Sequence, residues 1–220
     1  MNKSYHSVQL NPFQQRGVVL FFALIALLAM SLAAVALIRS IDTSTLIAGN
    51  LTFKQAATSS SDSGLQAAIS WLSTTEAANT GINVLMDSSH PFNNTGGSGP
   101  YLNPGYYSAL DPALSLTNSS GGSRVLWDNN DSFLVGTDST GNTTRYIIQR
   151  MCRTANTPVQ SANCLFSVAS ESKDGMSILL PQDVCKGNGC PAAGQSPQIR
   201  ITARTTGPRN TVSYVQAFVY

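Results

Sequence analysis

The chain has 220 residues, 42% of them hydrophobic and only 11% charged, against about 25% charged in a typical soluble domain. That balance excludes a disordered polyelectrolyte, which needs low hydrophobicity and high net charge. A formal net charge of +2 supplies none of the basic stripe of a dedicated nucleic-acid binder, and the length fits one domain with an appendage.

Residues 1–17, MNKSYHSVQLNPFQQRG, contain Lys3 and Arg16 and no acidic residue, so the surplus of two cations lies wholly in this leader. Residues 18–38 follow as VVLFFALIALLAMSLAAVALI, with Ser31 the one polar side chain. About 20 apolar residues in a helix span the roughly 30 Å hydrocarbon core of a bilayer. Thirteen of these residues are Leu, Ile, Val or Phe, and each favours insertion by about 0.3 to 0.6 kcal/mol. The other setting for a helix apolar on all sides is the centre of a much larger protein. The basic leader stays in the cytoplasm by the positive-inside tendency, and everything after Arg39 is exported. Two processing routes then compete. A secretory signal would be cut after a small-x-small triplet, which Ala34-Val35-Ala36 supplies. A cut on the cytoplasmic side, between Gly17 and Val18, would keep the apolar segment in the mature protein.

After Arg39 the apolar residues become periodic. Ile38, Ile41, Thr45, Ala48, Leu65, Ala68, Ile69 and Leu72 recur at helical spacing and predict a stripe facing a folded domain. The helix should run from about Val18 to about Ser73, on the order of 80 Å at 1.5 Å per residue. Weak helix formers in TSSSDSG (Thr58 to Gly64), and Gly49, predict local loosening there.

Residues 79–123 are rich in Asn, Gly, Ser and Pro and read as a long irregular connection, pinned to the core by Tyr101, Tyr106 and Tyr107. Connections this long are usually functional or partly disordered. Strand signals follow at Arg124 to Trp127, Ser132 to Gly136, Thr143 to Cys152, Cys164 to Ala169 and Met176 to Leu180. The last two, Gln198 to Thr205 and Thr211 to Tyr220, flank the Gly/Pro turn Thr206 to Asn210 as a hairpin. The expected fold is α+β, an antiparallel sheet packed on the second half of the helix.

Cys152, Cys164, Cys185 and Cys190 all lie on the exported side, where an even count implies disulfides with three possible connectivities. Pairing of sequence neighbours, Cys152 with Cys164 and Cys185 with Cys190, is expected. Zinc is disfavoured, because no pair has the two-residue spacing of a zinc knuckle and neither His6 nor His90 is near. Asp128-Asn129-Asn130-Asp131 offers oxygen ligands for calcium but lacks the Gly and the terminal Glu of an EF-hand loop, and a plain turn accounts for it. No Gly-x-Ser-x-Gly elbow appears, and the glycine clusters Asn94 to Gly99 and Lys186 to Gly189 lack the strand-before, helix-after setting of a phosphate loop. The reading is of a non-enzyme without catalytic residues, cofactor, metal or nucleic-acid partner. Asn-x-Ser/Thr sites such as Asn142 read as exposed loops.

Gln15-Arg16-Gly17 ahead of an unbroken apolar run resembles the class III signal cut by prepilin peptidase. QRGVVLFFALIALLAMSLAAVALIRS, then IAGN (Ile47 to Asn50) and SGLQAAISWL (Ser63 to Leu72), resemble the N-terminal region of type IV pilins, most closely the PilX-type minor pilins. ITARTTGPRNTVSYVQAF (Ile201 to Phe218) is similar to that family's C-terminal hairpin. The resemblance implies a pilin-like fold divided into a leader (1–17), a transmembrane helix half (18–38), an amphipathic helix half (39–78) and a periplasmic head (79–220). It also implies cleavage between Gly17 and Val18 and methylation of the new N-terminus. Partners would be prepilin peptidase, other minor pilins, the major pilin and a tip adhesin. The implied location is the bacterial inner membrane and then the pilus tip, with roles in priming assembly, twitching motility and adhesion.

The fifth mature position would be Phe22. Major pilins usually carry Glu there, compensating the buried terminal amine of a neighbouring subunit, and a carboxylate in hydrocarbon costs about 3 kcal/mol or more without such a partner. Phe22 makes no such pair, so the resemblance implies a subunit at the top of a filament. The K-type minor pseudopilin of type II secretion shares the omission, which keeps that machinery open as a second reading. A secreted, disulfide-bonded binding protein with a cleaved signal is the third.

Overall fold

The computed structural model describes residues 16–110, 125–167, 185, 188–191 and 195–220. One helix, α1 (Arg16–Ala78), runs without a break. The chain divides into two compact units at Leu51/Thr52.

In the first unit every residue from 18 to 48 is exposed, including Phe21 at 62% and Phe22 at 64%. Polar atoms in this stretch are satisfied within the helix. The Ser31 hydroxyl donates to the Leu28 carbonyl at 2.8 Å, and Ser44 and Thr45 donate to Ser40 and Ile41. A helix that meets its own hydrogen-bonding needs and is apolar from 18 to 38 apart from Ser31 suits hydrocarbon over that stretch. Its length and composition are sufficient to cross a membrane.

The second unit packs the C-terminal part of α1 on a five-stranded sheet: β1 (Tyr106–Tyr107), β2 (Phe133–Thr137), β3 (Thr143–Arg150), β4 (Ile199–Thr206) and β5 (Val212–Val219). β3, β4 and β5 form an antiparallel meander. Both short strands use the other edge of β3: β2 runs antiparallel along Thr143–Tyr146, and β1 runs parallel beside Ile148 and Gln149. The sheet is therefore mixed, not purely antiparallel as expected. Alternation sets two faces. Tyr146, Ile148 and Ile201 join Ala68, Leu72, Phe92 and Tyr106 in the main core, while Ile147 turns the other way to meet Val125, Trp127 and Tyr107.

The buried stripe of α1 is Ala57, Ser61, Gly64, Ala68, Leu72 and Thr75, at the spacing of one helix face. It starts later than the periodicity suggested: Ile38 and Ile41 are exposed, and Ile69 is 45% exposed. The first four members are small, which lets the helix lie close to β3 and β4. A Cβ on Gly64 would stand 2.8 Å from Thr144 Cγ2 and 3.0 Å from Ala203 Cβ.

The expected loosening at Thr58 to Gly64 does not occur, because hydroxyls there tie the helix to itself and to the sheet. Ser61 Oγ donates to the Ala57 carbonyl and reaches Thr205 Oγ1 at 2.9 Å. Thr205 in turn shares a hydrogen bond with Thr144, and Thr58 shares one with Ser213. Gly49 also sits within unbroken helix.

Other expectations change as well. Residues 125–127 form no strand; Trp127 has φ 57 and leads into the 128–131 turn instead. Cys164 and Phe166 make only isolated bridges, to Cys152 and Pro197, and proline has no N–H to extend a ladder. The expected strand Met176 to Leu180 lies outside the described residues. Within the connection, residues 79–110 are ordered by turns, two 3-10 segments and β1. Tyr106 is fully buried and donates to the Phe92 carbonyl, Tyr107 donates to the Asp131 carbonyl, and Tyr101 is half-buried.

Asn142 is 2% exposed rather than displayed. Its amide donates to Ser60 Oγ and Thr140 Oγ1, beside Asp138, whose carboxylate accepts from Ser60 Oγ, Thr140 and the Asn142 amide. The Ser60 hydroxyl, then Thr140 and the Asn142 backbone, hold the Asp138 carboxyl well below the usual range. A carboxyl depressed in the folded state stabilises above its unfolded pKa, about 3.9, and that contribution is lost as pH falls below it. Asp138→Asn should therefore flatten the acid limb: melting temperatures between pH 7 and 2 should fall less steeply for the variant than for the native chain.

Candidate functional site

Gly17 and Val18, the expected cleavage pair, lie in the first turns of α1, and Val18 is 57% exposed. Phe22 stands out from the same helix with its ring edge-on to Phe21 at 6.4 Å. From 18 to 38 the helix offers an exposed apolar surface.

All four cysteines are bridged, Cys152 to Cys164 and Cys185 to Cys190. Cys152 follows β3 and is 1% exposed, so the first bridge fastens the 153–163 loop to the end of that strand. A closed loop of about 15 residues is worth about 3 kcal/mol in the chain-entropy account. With a sequence separation of 12, the double variant Cys152→Ala/Cys164→Ala should lose about 2 to 3 kcal/mol, read as a lower denaturant midpoint at unchanged m-value. The shorter Cys185–Cys190 loop, with a separation of 5, should cost less.

The 128–131 segment is a hydrogen-bonded turn. Asp128 Oδ1 accepts the Asn130 and Asp131 amides, Asp131 Oδ2 accepts the Leu126 amide, and Asn129 Oδ1 accepts from Arg145. Three of its side-chain oxygens are thus engaged by the protein, and no group of three or more His, Cys, Asp or Glu side chains placed to hold a metal occurs among the described residues.

A polar cluster that sequence reasoning missed surrounds Arg150, the last residue of β3. It is 2% exposed. Its Nε donates to the Ser108 carbonyl at 2.8 Å, one terminal nitrogen to Asn93 Oδ1 at 2.5 Å, and the other to the Thr157 carbonyl at 2.7 Å. One guanidinium thus ties three separate loop positions to the sheet. Every partner is a neutral oxygen, and no carboxylate among the described residues pairs with the charge. Burial lowers the Arg150 pKa from its ordinary value, but a guanidinium stays protonated in proteins, leaving a buried cation without an anion among the described residues.

His90 lies nearby in the same wall, 2% exposed, with its Nδ1 accepting the Phe92 amide at 3.2 Å. Burial is the main cause that holds its pKa below the ordinary value, so the ring is neutral at pH 7. With Nδ1 accepting, the proton is on Nε2.

Arg150 and His90 both line a cavity of about 900 Å³. Its wall is mainly apolar: Leu72 from α1, Phe92 and Tyr106 from the connection, Val159 from the disulfide-closed loop, Ile199 from β4 and Val219 from β5. The cavity falls within the size range of small-molecule sites. Comparison of the chain with protein-family models, with curated proteins and with solved structures returned no match.

Proposed function

We propose that the chain is a minor type IV pilin of the PilX type. In this reading it is cut between Gly17 and Val18, held in the inner membrane by its apolar helix, and assembled with other minor pilins into a complex that primes the pilus and caps it. The observation that carries the reading is one unbroken helix, apolar and exposed from residue 18 and buried against a β-sheet from Ala57 onward, placed directly behind Gln15-Arg16-Gly17. That arrangement supports an element that lies first in a bilayer and later in a filament core. A pilin-like fold is the finer description of the α+β second unit under the same proposal.

Phe22 gives the reading its place in the filament. An apolar fifth residue cannot neutralise a neighbour's terminal amine, so the subunit suits the uppermost position; a minor pseudopilin of type II secretion fits the same residue. The mature N-terminus, read by mass spectrometry of the protein from membranes, should be Val18. A start at Leu37 would instead make the chain a secreted binding protein and end the pilin reading. Phe22→Glu should still insert, since the other apolar residues outweigh about 3 kcal/mol for one carboxylate, yet should change filament number. Unchanged filaments would remove the argument for the tip.

A further inference from the structure

We propose that the cavity beneath the C-terminal turns of α1 is a binding site for a small amphiphilic monocarboxylate. The acid group would be held by Arg150 and the apolar body by Leu72, Phe92 and Tyr106. Four observations converge on this class of ligand.

Charge comes first. Arginine is almost never fully buried unless paired, and breaking even is hard for a buried ion without a counter-ion. Arg150 has five N–H groups, and three of them donate to the neutral oxygens of Ser108, Asn93 and Thr157. No carboxylate among the described residues supplies the counter-charge; an entering carboxylate would supply it and accept the remaining donors.

The second observation is the neutral His90 in the same wall, whose Nε2–H is a second donor. A neutral donor beside a cation favours an anion and disfavours an ammonium.

Third, Arg150 is 2% exposed. A passing strand or a broad protein surface cannot reach a group so deep, whereas the end of a small molecule can. Most of the wall is hydrocarbon, so the rest of that molecule must be apolar. Glu76 also lines the cavity, but it is exposed and therefore screened by water, unlike the buried cation. At the helix end the Thr75 and Glu76 carbonyls already accept from Asn79, which offsets part of the negative field there.

Finally, aromatic rings stand ready to pack against an apolar body. Trp71 lies 5.8 Å from Phe92 and 5.1 Å from Tyr106 between ring centroids, and both partners line the cavity.

The test is calorimetric titration of the full chain in lipid nanodiscs, with empty nanodiscs subtracted, using 4-phenylbutyrate, 4-phenylbutanol and 4-phenylbutylamine. The acid should bind at least tenfold more tightly than the alcohol, and the amine should not bind. Ile69→Asp, at a half-open position of the wall, should weaken the acid at least fivefold and the alcohol less. Arg150→Met, if it folds, should bind acid and alcohol equally. Equal binding of acid and alcohol by the native chain, or no binding of the acid, would overturn the proposal, as would an acid preference that survives in folded Arg150→Met. Should Arg150→Met not fold, the native acid-to-alcohol ratio and Ile69→Asp decide the matter.

Discussion

Gly64→Leu should lower the stability of the second unit by about 3 kcal/mol. The new Cβ alone would sit 2.8 Å from Thr144 Cγ2 and 3.0 Å from Ala203 Cβ, on short side chains that cannot swing aside. Relief requires the helix to lift from β3 and β4. Overpacking of this kind costs about 1 to 3 kcal/mol. Lifting also stretches the buried Ser61–Thr205 hydrogen bond, worth about 1 kcal/mol when made and more when its groups are left buried and unpaired. Against this, leucine gains roughly 0.8 kcal/mol over glycine in helix propensity. At about 2 to 4 °C per kcal/mol for a unit of this size, the melting temperature should fall by about 6 to 12 °C. Gly49→Ala is the matched control, since a Cβ there meets nothing within 4 Å. It should be neutral or slightly stabilising. A Gly64→Leu variant that melts with the native chain would mean that the helix does not lie this close to the sheet.

Arg150→Met should cost about 2 to 4 kcal/mol, and Arg150→Lys should recover little of it. Removing the fork leaves Asn93 Oδ1, the Ser108 carbonyl and the Thr157 carbonyl without their donor. A buried acceptor left unsatisfied costs about 1 to 3 kcal/mol. Part of that loss is offset, because a buried charge with no counter-ion among the described residues disappears with the side chain. Lysine keeps the charge, but its compact ammonium cannot span three acceptors arranged around a planar guanidinium. Equilibrium unfolding of the three proteins checks the ranking. Full recovery by lysine would show that charge, and not the fork, holds the loops.

Much of the architecture can be read along the chain. The apolar run of residues 18–38 declares itself by length and lack of charge, since a bilayer or the centre of a much larger protein rewards such a surface. The final hairpin is equally legible, with alternation on both sides of Gly207 and Pro208. β3 ends within two residues of the expected Cys152 for the same reason. Cysteine pairing between sequence neighbours also agrees, because each short loop needs little closure.

Other features depend on what the chain meets in space. TSSSDSG looks like a weak helix because its hydroxyls can bond to local backbone. In the folded unit those hydroxyls find Thr205, Asp138 and Ser213, and the helix continues. β1 has two residues and no pattern of its own; it exists because Tyr106 is buried among Phe92, Tyr146 and Ile148. Asn142 carries a surface signature, yet Ser60 and Thr140 enclose it.

Arg150 divides the two kinds of knowledge most clearly. Strand alternation already puts it on the same face as Thr144, Tyr146 and Ile148, so an inward cation was readable from periodicity alone. The acceptors at Asn93, Ser108 and Thr157, and the apolar cavity beside them, come from loops far apart in sequence. Local pattern determines which way a side chain faces; only the closure of those loops around it, driven by burial of the surrounding apolar surface, decided that the charge would sit in a pocket with neutral partners.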